Sequence, residues 1–168
     1  MYAMIDLWRF GWVGFCFFLS FWRGIPLAAF LTLCADAFLL FTEWYGAGVY
    51  CFLWVHSIYE RQITGRKLFG QKGWLLLFCS ALPLQALGIV YAAVFAHHGF
   101  AAVQKEKVQP SFRGKLYLCG LFCFLCCDLL VAWGYFFLPL PVWVWRFYAP
   151  SQLLLALTAG EKGLKTTA

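Results

Sequence analysis

Four polar or ionisable residues stand inside otherwise apolar stretches of the chain: Asp36, His56, Asp128 and Arg146. Small residues precede both aspartates, Cys34-Ala35 before Asp36 and Cys126-Cys127 before Asp128. Small side chains on a helix let a neighbouring helix come close, so each carboxyl is expected to meet another helix at short range. Two carboxyls sharing one low-dielectric cavity do not both ionise readily, and such a pair supplies a general acid and a general base. Sequence alone does not bring the two together. A structural alternative stays open, in which either aspartate pairs with Arg146 or His56 to lock the helices.

Further polar groups fall in register with these. His56 precedes Tyr59 by three residues, so the two share a helix face. Tyr148 and Gln152 are one turn apart and are expected to hydrogen-bond toward a bundle centre. Arg146 is expected to reach a membrane interface or a lipid phosphate. His97 and His98 adjoin a basic segment and read as interfacial rather than catalytic. There is no H-E-x-x-H pair, no G-x-S-x-G elbow and no glycine-rich phosphate loop. Cys119, Cys123 and Cys126 share one helical stripe, but all eight cysteines lie in apolar runs and read as small packing residues. No metal or cofactor is expected.

The elements that carry these residues are apolar helices. Of the 168 residues, 64% are hydrophobic, 21% aromatic and only 12% charged, about half the charged share of a soluble domain. Six apolar runs cover residues 7–22, 26–41, 45–59, 74–103, 116–137 and 141–157. The composition predicts one all-α domain over residues 1–168, a polytopic transmembrane helix bundle of six or seven short spans. Residues 1–6 carry no basic residue and no small-residue cleavage site follows the first run, which is therefore expected to be a retained span.

The fourth run is too long for one span, and Pro83 and Gln85 interrupt it. Its two flanks are the most basic segments, one with Arg61, Arg66, Lys67 and Lys72, the other with Lys105, Lys107, Arg113 and Lys115. Folding the run back near Pro83 puts both flanks on one side, together with Arg23, Lys162 and Lys165, and leaves Asp6, Glu43 and the turn 138–140 on the other. The positive-inside rule favours that arrangement, with seven passes, the N-terminus outside and the C-terminus inside. Six passes is the alternative. The net charge of +6 is then a loop property that faces anionic head groups, and nucleic-acid binding is not expected.

The order of these motifs resembles the lysoplasmalogenase family of membrane proteins, also called YhhN-like. Its members share a span reading roughly G-D-x-x-L-L, a span with F-x-x-x-H-x-x-Y, a later span ending S-D-x-x-L-A and a final Y-Y-x-A-Q stretch. This chain has Ala35-Asp36-Ala37-Phe38-Leu39-Leu40, then Gly48 and Phe52 through His56 to Tyr59, then Cys127-Asp128-Leu129-Leu130-Val131-Ala132, and Tyr148-Ala149-Pro150-Ser151-Gln152. Tyr91 matches a family tyrosine in the middle segment. The likeness spans about residues 26–157. The chain departs from the pattern at Ala35 for Gly, Cys127 for Ser and Ala149 for the second Tyr, and Pro150 enters the last motif. Family members usually have eight spans.

The resemblance implies an ether hydrolase of lipid metabolism, which opens the vinyl-ether bond of a lysophospholipid of the lysoplasmalogen type. The products are a fatty aldehyde and a glycerophospho-ethanolamine or -choline. It implies Asp36 and Asp128 as the catalytic pair, with His56, Tyr59, Tyr91, Arg146, Tyr148 and Gln152 in support. Asp128, among Cys126, Cys127 and Leu129, reads as the drier carboxyl and so as the acid. The small size and short loops fit a bacterial cytoplasmic membrane, and a homo-oligomer stays open as a partner state. Two other readings remain: a transporter component using Asp36, His56 and Asp128 as a proton relay, and a non-catalytic relative that binds lipid.

Overall fold

The computed structural model of the chain describes residues 2–24, 26–64, 79–138 and 140–158. Their regular structure is helix alone, as the composition predicts. The helices are α1 (Tyr2–Trp22), α2 (Pro26–Phe41), α3 (Tyr45–Thr64), α4 (Leu84–Val108), α5 (Phe112–Phe136) and α6 (Pro141–Thr158), and a 3₁₀ turn at Cys79–Ala81 precedes α4. At 25 residues each, α4 and α5 are long and apolar enough to cross a membrane; 25 residues rise ~37 Å, against ~30 Å of hydrocarbon.

Punctuation sets the boundaries. Pro83 has no N–H to give a ladder and sits in extended conformation as the N-cap of α4. The break expected in the fourth apolar run is therefore present at Pro83, whereas Gln85 lies inside α4 and interrupts nothing. Most of the first limb of the expected hairpin, residues 74–78, lies outside the described residues. The basic segment after that run is helix rather than loop. Lys105 and Lys107 occupy the last turn of α4, where cations complement the helix dipole, and Arg113 and Lys115 open α5. Only 109–111 turn between them. Ser111 Oγ caps α5 by accepting from Gly114 N at 2.9 Å, and Ser111 N donates to Glu106 Oε1 at 2.8 Å.

Contacts between helices give their directions. Along α3 and α4, Leu53 packs with Leu87, His56 with Tyr91, and Glu60 reaches His97 at 3.1 Å. The register rises together, so α3 and α4 run parallel. Arg9 lies over Trp145 and Trp12 donates to the Ala149 carbonyl, so α1 and α6 are parallel as well. Antiparallel neighbours are α4 with α5, from His98–Tyr117 to Tyr91–Asp128, and α5 with α6, from Arg113–Thr158 to Phe124–Tyr148. Arg61, Lys105, Lys107, Arg113 and Lys115 consequently gather at one end, with Arg23 close enough to act on Arg113 electrostatically. Glu43 and the α5–α6 turn lie at the other end. Among the described residues this is the charge asymmetry expected from the sequence; Arg66, Lys67, Lys72, Lys162, Lys165 and the side chain of Asp6 fall outside them.

The outer surface is apolar. Trp8, Ile89, Phe122 and Leu129 are 74%, 73%, 63% and 62% exposed. The interior is aromatic and includes Phe52, Phe95, Phe124, Tyr117 and Tyr148. Close helix approach depends on one glycine in particular. A Cβ at Gly48 of α3 would lie 2.7 Å from Leu39 Cγ and 3.2 Å from the Ala35 carbonyl oxygen, one residue before Asp36 on α2. Nothing lies within 4 Å of a Cβ at Gly46. Gly48→Val is therefore expected to destabilise the purified protein by about 1–3 kcal/mol more than Gly46→Val, the usual cost of overpacking. Thermal unfolding of the two variants side by side checks this, and equal midpoints would contradict the close α2–α3 contact.

Candidate functional site

Each aspartate accepts a short hydrogen bond from a tyrosine on another helix. Tyr148 of α6 donates to Asp36 Oδ2 of α2 at 2.5 Å. Tyr91 of α4 donates to Asp128 Oδ2 of α5 at 2.6 Å. The small residues before each aspartate are where the sequence expects close packing, and Ala35 and Cys127 are buried. Both carboxylates act electrostatically on Cys127 and on Tyr148, so the two pairs share one region of the interior. Phe124 packs against both sets, its ring centroid 5.2 Å from that of His56 and 5.9 Å from that of Tyr148.

The Asp128 pair continues. His56 Nε2 lies 3.2 Å from the Tyr91 hydroxyl, and His56 Nδ1 lies 3.2 Å from His98 Nδ1. His98 Nε2 lies 2.7 Å from the Tyr117 hydroxyl. Both imidazoles are fully enclosed, at 0% exposure. Five side chains from three helices thus form one line, Asp128–Tyr91–His56–His98–Tyr117. Helical spacing builds it: Tyr91, Phe95, His98 and Ala102 form one face of α4, and Tyr117, Leu121, Phe124 and Asp128 one face of α5. No protein-family model, curated protein or solved structure matches the chain.

Most of the residues singled out in the sequence meet here, and some do not. Asp36, Tyr148, Asp128, Tyr91 and His56 belong to the two hydrogen-bonded sets. Tyr59 packs its ring against His98 and Tyr117, and with Gln152 it lines a small cavity between α1, α2, α3 and α6 beside Cys16, Ser20 and Thr32. Arg146 is exposed on α6 with its guanidinium over the Trp143 ring, 4.7 Å from the centroid; it pairs with neither aspartate, which removes the alternative of an aspartate–arginine lock. The expected lock between an aspartate and His56 exists only through Tyr91.

Two further expectations change. His97 is exposed beside Glu60, but His98, expected to share its surroundings, is buried in the middle of the line. Neighbours on a helix point about 100° apart, so adjacency to a basic segment says nothing about both. The signal that finds His98 is its distance of seven residues from Tyr91. Tyr117, eleven residues before Asp128, carries the same kind of signal. Dryness also ranks the carboxyls the other way: Asp36 is 5% exposed, while Asp128 is only half-buried. Among the described residues no three His, Cys, Asp or Glu side chains converge as a metal-ion site, and the stripe of Cys119, Cys123 and Cys126 faces outward in part.

Pro150 enters α6 without unseating Tyr148. Its ring removes one ladder hydrogen bond, and two side-chain bonds hold the adjacent carbonyls: Trp12 Nε1 donates to Ala149 O at 3.2 Å and Ser151 Oγ to Tyr148 O at 2.7 Å. The Tyr148–Asp36 bond is testable by a double-mutant cycle. Tyr148→Phe and Asp36→Leu should each destabilise by about 1–3 kcal/mol, because each leaves a buried partner unsatisfied. The double variant should cost less than the sum of the two. Additive losses in denaturant unfolding would show that the pair is not coupled.

Proposed function

We propose that the chain is an integral membrane lipid hydrolase of the lysoplasmalogenase kind. Two helices of spanning length, an outer surface of exposed Phe, Trp, Leu and Ile, and basic residues gathered at one end support the membrane part of this reading. The site part rests on one observation. Asp36 and Asp128, the two aspartates singled out by the resemblance, lie in a common region of the interior and each accepts a bond from a tyrosine on a different helix. Carboxyls inside an apolar bundle are costly to keep and mark functional sites.

The chemistry follows from the bond to be broken. A vinyl ether is protonated at its outer alkene carbon, which leaves an oxocarbenium ion stabilised by the ether oxygen. Asp128, the less enclosed carboxyl, is the one a lipid chain can reach, and it serves as the acid. An ionised Asp36 stabilises the positive charge and takes a proton from the attacking water. The resulting hemiacetal collapses to a fatty aldehyde and the glycerol hydroxyl of the headgroup fragment. One water is consumed, and no oxidant or reductant takes part.

A proton-coupled transporter is a second reading, favoured by the continuous Tyr–His–His–Tyr line. It predicts solute flux into sealed vesicles and no bond cleavage. The deciding experiment is aldehyde release from a lysoplasmalogen by the purified protein, beside Asp36→Asn and Asp128→Asn. The hydrolase reading expects turnover by the wild type and a loss of at least ~100-fold in either variant, the scale of a missing acid or base. A folded wild type that releases no aldehyde overturns it.

A further inference from the structure

The line of side chains that begins at Asp128 ends at a cleft. Tyr117 lines a space of about 50 Å³ at the basic end, together with Lys105, Glu106, Ser111 and Arg113. That is room for water, among polar groups that would hold it. From Tyr117 to Asp128 is eleven residues along α5, ~16 Å of rise. Between them every step is a hydrogen bond: 2.7 Å from Tyr117 to His98, 3.2 Å to His56, 3.2 Å to Tyr91 and 2.6 Å to Asp128.

Donor counting makes the line directional. An ionised carboxylate only accepts, so the Tyr91 hydroxyl donates to Asp128 and its oxygen accepts from His56 Nε2–H. A neutral imidazole carries one N–H, so His56 Nδ1 must accept, and His98 Nδ1–H is the donor. His98 Nε2 then accepts from Tyr117. Each group gives toward Asp128 and receives from the Tyr117 side. If Asp128 is protonated instead, every bond reverses together. In both polarities one imidazole carries its proton on Nδ1 and the other on Nε2. Identical tautomers would put two lone pairs or two N–H groups face to face at 3.2 Å.

We propose that Tyr91, His56, His98 and Tyr117 form a proton wire that resupplies Asp128 from the cleft at the basic end. In one transfer Tyr91 gives its hydroxyl proton to Asp128 and takes the Nε2 proton of His56. His56 takes the Nδ1 proton of His98 on its own Nδ1, His98 takes the Tyr117 proton on Nε2, and Tyr117 takes a proton from hydronium in the cleft, which is left as neutral water. One proton enters for each that Asp128 gains, and no group in between keeps a charge. The apolar surroundings of Phe95 and Phe124 keep other water away from the rings. The use of that proton rests on the acid role proposed for Asp128, but the wire itself is tested by proton exchange and not by turnover, so the two ideas can fail separately.

The chain holds three histidines, which makes its ¹⁵N-histidine NMR spectrum simple to assign. In the purified wild type, His56 and His98 are expected to be neutral and of opposite tautomer. Transfer into deuterated water then reads the exchange of their ring protons. Tyr117→Phe keeps the ring in place and removes only the hydroxyl at the outer end, so it is expected to slow exchange at both rings by tenfold or more. A merely structural hydrogen bond gives the opposite sign, since its loss loosens the rings and speeds exchange. The same tautomer at both rings, or exchange in Tyr117→Phe that is unchanged or faster, would overturn the wire.

Discussion

A carboxylate enclosed among aromatic rings needs a hydrogen-bond donor, and in this chain each of two carboxylates finds it on a different helix. The cost of an unsatisfied buried charge is several kcal/mol, more than any single helix contact contributes. Tyr148 meets that need for Asp36 and ties α6 to α2; Tyr91 meets it for Asp128 and ties α4 to α5. Much of the bundle's arrangement follows. With His56 on Tyr91 and Glu60 on His97, α3 and α4 lie side by side in the same direction; with Tyr91 on Asp128 and His98 on Tyr117, α5 runs antiparallel to α4.

That arrangement also gives the molecule two unlike ends. Parallel α3 and α4 deliver Arg61, Lys105 and Lys107 to the same end, where α5 begins with Arg113 and Lys115. The carboxylates sit away from these cations and are satisfied by phenols instead. A phenol donor is neutral, so it holds a carboxylate without fixing its charge as an arginine would. This is the feature that makes the pair suitable for acid and base work in the proposed reaction and distinguishes it from a locking ion pair.

The helical class was legible from composition, and most helix limits from Pro26, Pro83 and Pro141 together with the apolar runs. The polar end of the fourth run was misjudged because Lys, Gln and Glu read as loop residues by polarity, while they are good helix formers by propensity. The two aspartates, His56, Tyr91 and Tyr148 were found by type and motif. His98 and Tyr117 were not, because their meaning lies in which face of α4 and α5 they occupy, and that depends on neighbours far away in sequence. For Arg146 the sequence left pairing with a carboxyl open beside an interfacial position; its place on α6 turns it outward over Trp143, where its stem and charge are accommodated without a carboxyl.

The central claim is that Asp36 and Asp128 are carboxyls of an apolar interior within a membrane protein. Carbodiimide labelling in native membranes, read by mass spectrometry, tests it most directly, because a lipid-soluble reagent and a water-soluble one partition to different carboxyls. The account predicts that the lipid-soluble dicyclohexyl reagent modifies Asp128 first and Asp36 more slowly. The water-soluble reagent should modify the exposed Glu43 and leave both aspartates intact. Labelling of Asp36 or Asp128 by the water-soluble reagent as fast as Glu43 would contradict it.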